Sequence, residues 1–211
     1  MKIIGVTPLA IPDVKVIRFG RFPDSRGYFT EPLRRSDFQT HAALDFLHGV
    51  EFVQVNESYS RATVLRGLHF QWSPALGKLL RTLDGRMIDM VADIRLGSPH
   101  FGKIIAYDMP GRPDRDYAEW IWVPPGFAHG NFFTQPTYIE YFCTGEWNPK
   151  CEAGISPLSA DLDWSLCDAA LKAEFDRIVA APAMLSDKDR DGLQLTAWRN
   201  DQRAQNFVYA S

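Results

Sequence analysis

Between Val14 and Thr144 the chain is a succession of short alternating runs cut apart by glycine, proline and aspartate. "VKVIRF", "EFVQVNES", "VLRGLHFQ", "KLLRTL", "RMIDMVADI", "KIIAYDM", "EWIWVP" and "YIEYFCT" follow one another. Side chains along a strand alternate between its two faces. In "EFVQVNES" that places Phe52, Gln54, Asn56 and Ser58 on one face and Val53 and Val55 on the other. In "RMIDMVADI" Asp89, Val91 and Asp93 oppose Ile88, Met90, Ala92 and Ile94. Short strands at this spacing predict an antiparallel sandwich or barrel.

The same strands carry polar residues where an all-apolar core would reject them. "VLRGLHFQ" holds Arg66, His69 and Gln71 among apolar neighbours. An unpaired polar group buried in a core costs a few kcal/mol, roughly 1–3 on mutational scales. A barrel with a wet or ligand-filled mouth accommodates them. Arg66 and His69 have opposite parity, so both face one cavity only if the strand bulges, and Gly67 permits a bulge.

Two helices interrupt the strands. "SDFQTHAALDFL" opens with Ser36 and Gln39 at capping-box spacing. Ser165 to Ala181 sets Leu171, Phe175, Ile178 and Val179 on one stripe. The segment after Gly192 is polar, with Trp198, Phe207 and Tyr209 as isolated anchors. No internal repeat and no Gly-, Ser- or Pro-rich linker divides the 211 residues, so a single domain over 1–211 is expected. Its barrel core would span about 11–164 and a helical extension about 165–211.

Composition narrows the function. A formal net charge of -3 gives no basic excess for nucleic acid. No apolar run approaches the ~20 residues of a membrane span, and the start, broken by Pro8 and Pro12, lacks a secretory pattern. Cys143, Cys151 and Cys167 are odd in number and form no CxxC pair, which suits reduced thiols in a cytosolic protein.

Two chemistries compete for the histidines. A metal-binding barrel of this type supplies two histidines one residue apart, an acid and a later histidine. Here Gln71 partners His69, Lys78 and Leu79 occupy the place of the acid, and only His129 in "PPGFAHG" remains. That set predicts no metal. In the other reading His69 is a base near neutral pH, Tyr141 a proton donor, and Lys78 and Arg66 anchors for negative charge. Each of these residues also has an ordinary structural reading, and spacing alone does not choose between them.

In order along the chain stand "DSRGYFTE", "FVQVNESYS", "LRGLHFQ", "GKLLR", "DMVADIRLGSPHFG", "WVPPGFAHG", "YFCTGEWNP" and "LSDKD". Together they resemble the dTDP-4-dehydrorhamnose 3,5-epimerase family over about Ile11 to Trp164, with the last motif beyond. The resemblance implies a mainly β, metal-free cupin, a double-stranded β-helix or jelly-roll barrel, with a few peripheral helices. It implies no cofactor, a homodimer, and a nucleotide-diphosphate keto sugar as substrate, with inversion at C3 and C5.

The roles the resemblance implies are specific. His69 matches the general base, Asp189 the aspartate that holds it, Tyr141 the acid on the opposite face, and Lys78 the group at the enolate oxygen. Arg66 matches the diphosphate-binding arginine and His129 a histidine of the sugar pocket, while Gln54 and Asn56 match the lining of the nucleotide end. Arg26 and Glu31 match residues of an N-terminal arm that reaches the partner's site. Trp147 and Tyr28 replace a tyrosine and a phenylalanine beside the base, which keeps an aromatic on each side. Asn131 departs from an apolar position, and the segment after Trp164 departs most.

Overall fold

The computed structural model describes residues 1–181 and 184–209. Thirteen strands run in chain order as β1 (Ile3–Pro8), β2 (Lys15–Gly20), β3 (Phe22–Asp24), β4 (Gly27–Phe29), β5 (Gln54–Ser60), β6 (Leu65–Gln71), β7 (Lys78–Asp84), β8 (Arg86–Asp93), β9 (Ile104–Pro110), β10 (Tyr117–Val123), β11 (Phe127–Phe133), β12 (Thr137–Cys143) and β13 (Glu152–Gly154). The helices are α1 (Arg35–Thr40), α2 (Ala169–Ala180), α3 (Asp187–Arg190) and α4 (Leu195–Arg199).

Two antiparallel sheets form the barrel. One has the order β1-β2-β10-β7-β12-β5, the other β13-β6-β11-β8-β9. β3 and β4 form a separate hairpin. Between the sheets lies a sealed core that includes Leu80, Val91, Ile121, Phe133 and Ile139. Outside the six-stranded sheet, Phe38, Leu44 and Leu47 pack on Phe19, Leu79 and Trp120. Outside the five-stranded sheet, the chain after Trp164 packs Phe175, Ile178, Leu195, Trp198 and Phe207 on Leu68, Phe70, Met90 and Phe132.

Three expectations need correction. The helix expected from Ser36 begins at Arg35, with Arg34 at its N-cap and no side-chain cap bond. Gln39 is drawn away from any capping box: its amide donates to Val50 O at 2.8 Å and accepts from Gly49 N at 2.9 Å. The helix stops at His41, whose extended backbone (ψ 124°) leads into a 3₁₀ turn over Ala42–Leu47. The later helix starts at Ala169 rather than Ser165, because Asp168 accepts from Ala170 N and Leu171 N. Trp198 and Phe207 are not isolated anchors: both are buried within one cluster with Phe70, and the Trp198 indole donates to Ile94 O at 3.1 Å.

The bulge lies where the parity conflict requires it. His69 pairs with His129, and Arg66 with Asn131, so three steps along β6 match two along β11. Leu65 and Leu68 therefore both pack outward, while Arg66 and His69 both face the cavity. Gly67 sits at the shift with φ +106°, and a Cβ there would lie 2.6 Å from Gly130 Cα. Only glycine meets both demands.

Candidate active site

Two cavities of about 410 and 210 Å³ open between the sheets and share His69, Lys78 and Tyr141 in their walls. The larger adds Gln54, Asn56, Trp147 and Glu152; the smaller adds Arg66, His129, Asn131 and Asp189. His69 comes from β6 and Tyr141 from β12, so they stand on opposing sheets.

His69 Nε2 lies 2.5 Å from Asp189 Oδ1. Asp189 is buried, and its Oδ2 accepts from Gly67 N at 3.3 Å. Burial pushes this carboxyl up, but the His69 bond, the His69 charge and the Gly67 N–H outweigh it and hold it below the usual carboxylate range. An ionised carboxylate only accepts, so the His69 Nε2–H donates to it and Nδ1 is the ring nitrogen left free of that bond. The turn that delivers Asp189 is fixed by Ser186, whose Oγ accepts from Asp189 N at 3.2 Å. Asp187 and Asp191 point to solvent and pair with Arg190 instead.

Lys78 is half-buried, and no carboxylate lies within ion-pair distance of it among the described residues. Burial lowers its pKa, against the nearby Cys143, Asp89 and Glu152. Burial also raises the pKa of Tyr141, so the phenol keeps its proton at neutral pH. A second imidazole–carboxylate pair lies behind them: His129 Nε2 is 2.5 Å from Asp89 Oδ1. Burial depresses the His129 pKa, so its imidazole stays neutral.

At the wider end, Gln54 links Asn56 Oδ1 (2.9 Å) to the Trp147 backbone N (2.9 Å). The exposed Trp147 indole donates to Glu152, which also holds Lys188. Gln71 is structural: its amide bonds Pro74 O, Glu146 O and Asn148 N and so pins the Trp147 loop. Arg66 is held by Ser60 Oγ at 3.0 Å.

Arg26, Tyr28 and Glu31 do not join this cavity within the single chain. Arg26 pairs with Asp24, Tyr28 lies under Arg21, and Glu31 pairs with Arg34. Two residues of the site went unassigned in the sequence: Glu152, which lines the larger cavity, and Asp89, which is buried behind the wall and holds His129. Asp89 had a signal, an acid within an apolar strand two residues from Val91. Glu152 had none, because its place depends on β13 pairing with β6. No group of three or more His, Cys, Asp or Glu able to hold a metal ion occurs among the described residues.

The barrel cavity thus sets a carboxylate-held imidazole on one wall and a protonated phenol on the other. The family model for dTDP-4-dehydrorhamnose 3,5-epimerase matches residues 8–197, and this chain belongs to that family of nucleotide-sugar epimerases. The dTDP-4-dehydrorhamnose 3,5-epimerase of Pseudomonas aeruginosa is 39% identical over 175 residues, 81% of this chain and 92% of that protein. That of Shigella flexneri is 33% identical over 90% of this chain and 94% of its own. Among solved structures, dTDP-6-deoxy-D-glucose-3,5-epimerase from Legionella pneumophila, in complex with dTDP-4-keto-L-rhamnose, superimposes with a TM-score of 0.77 at 30% identity. It covers 98% of each chain. The cupin-like barrel is thus shared, and the family match continues past Trp164 through α3 into α4. No helix among the described residues is long and apolar enough to cross a membrane.

Proposed function

We propose that this protein inverts C3, and then C5, of a dTDP-linked 4-keto-6-deoxyhexose. The observation that carries this reading is the opposition of His69, held on Asp189, to Tyr141 across a cavity that also holds the unpaired Lys78 ammonium. His69 Nδ1 takes the proton from the carbon beside the ketone. The electron pair moves onto the keto oxygen as an enolate, which the Lys78 ammonium stabilises. Tyr141 then returns a proton to the opposite face, and the configuration inverts. Solvent resets the imidazolium and the phenolate. Arg66 faces the diphosphate, Trp147 the base, and His129, neutral beside Asp89, the sugar.

The N-terminal hairpin completes the site from a second copy. Phe22, Tyr28 and Phe29 are exposed on it, and β5, which carries Gln54 and Asn56, is an edge strand with Val53, Val55 and Tyr59 turned outward. An exposed apolar hairpin and an unpaired edge beside the cavity are liabilities in a monomer and assets in a dimer.

The test is incubation with dTDP-4-keto-6-deoxyglucose in deuterium oxide, followed by NMR. Loss of both the C3 and C5 proton signals is expected. Loss of C3 alone would restrict the reaction to one centre, and retention of both would overturn the reading for this substrate.

A further inference from the structure

We infer that Asn131 selects a sugar ring carrying a hydroxyl on its reacting side; this rests on the epimerase reading above. Asn131 lies on the inward face of β11, two residues from His129 and directly opposite Arg66. The residue is only 5% exposed yet forms part of the wall that holds His69 and Asp189.

The direction of its amide is fixed by chemistry. Asn131 Nδ2 lies 2.7 Å from Asp89 Oδ1, the same oxygen that receives His129 Nε2. A carboxylate accepts and does not donate, so the NH₂ must face Asp89, and reversing the amide would set oxygen against oxygen. Met87 Sδ, 3.3 Å from the same nitrogen, is also only an acceptor. The amide oxygen, Oδ1, has no hydrogen-bond partner among the described residues, yet it is not one of the sealed unpaired atoms, which are Arg21 Nε and Asp89 Oδ2. Its accessible surface therefore faces the cavity. A fixed acceptor on a buried wall calls for a donor from the ligand.

The ligand atoms that can answer are hydroxyls near the carbon held at His69, on C2 or C3 of the hexose. A methyl or methylene there would strip Oδ1 of water and return no hydrogen bond. Sites built on such a bond discriminate strongly against the analogue that lacks the donor.

Deuterium exchange beside the ketone is measured for dTDP-4-keto-6-deoxyglucose and for its 2-deoxy and 3-deoxy counterparts, with wild type and Asn131→Leu. One deoxy sugar should exchange about 10- to 100-fold more slowly than the parent in wild type. In the variant the parent should fall to that level, and removing the same hydroxyl should cost nothing further. Asn131→Ser replaces the leucine variant if the latter does not fold. Equal exchange of all three sugars in wild type, or a deoxy penalty that persists in the variant, overturns the assignment. No exchange even of the parent in folded wild type overturns the epimerase reading itself, and this inference with it.

Discussion

His69 faces the cavity only because β6 gains one residue on β11 at Gly67. Both ends of that shift were readable: the parity conflict between Arg66 and His69, and the glycine that relieves it. What parity could not supply was the partner, since Asp189 arrives from a turn far along the chain. The expected consequence is that His69→Ala keeps its circular-dichroism spectrum and loses about 100- to 10,000-fold in kcat/KM. His129 gives a different signature. Its folded pKa lies below the ordinary 6.5. The unfolded chain therefore takes up the proton first, so stability is full above that value and declines as pH falls beneath it. Urea midpoints should drop between about pH 7.5 and pH 5.5, and the drop should shrink in His129→Asn. An unchanged pH dependence in the variant would assign the effect elsewhere.

At the scale of elements, strands with one buried face were legible and helix ends were not. β5 and β12 turn alternate side chains inward and outward, and a one-residue slip would exchange the two faces, whereas β8 is buried on both. Helix starts depend on which side-chain oxygen reaches the first free N–H groups, and competition decides that. Gln39 found Val50 and Gly49 in place of a capping box, while Asp168 captured the start of α2. Asp168→Ala should lower unfolding free energy by about 1 kcal/mol, read by urea titration, with deuterium exchange in the substrate unchanged. A loss of activity at equal folding would show that α2 reaches the cavity in a way its packing does not suggest.

For the whole molecule, the outer layer on the five-stranded sheet joins stability to chemistry. Its aromatic centre, Trp198 with Phe70 and Phe207, holds the segment from which Asp189 projects toward His69. Trp198→Ala should cost about 3–5 kcal/mol in unfolding free energy. It should also reduce kcat more than it raises KM, because Arg66 and Trp147, the residues proposed to face the diphosphate and the base, lie on other elements. A variant that loses stability while keeping wild-type kcat would separate the layer from the site. Within the barrel, His69, Lys78 and Tyr141, which the resemblance named, line the cavities, but the tail read as polar because its few large apolar side chains are spread thinly. Their common destination exists only once the sheet beneath them is built.

The bond between His69 and Asp189 spans 120 residues of sequence. During synthesis the barrel, with His69, Tyr141 and Lys78 in it, can close before the chain has delivered the aspartate. Until then nothing fixes the imidazole tautomer. On the proposed chemistry, competence for proton transfer therefore comes late in the life of each molecule, with the docking of the segment after Trp164 onto an already finished sheet.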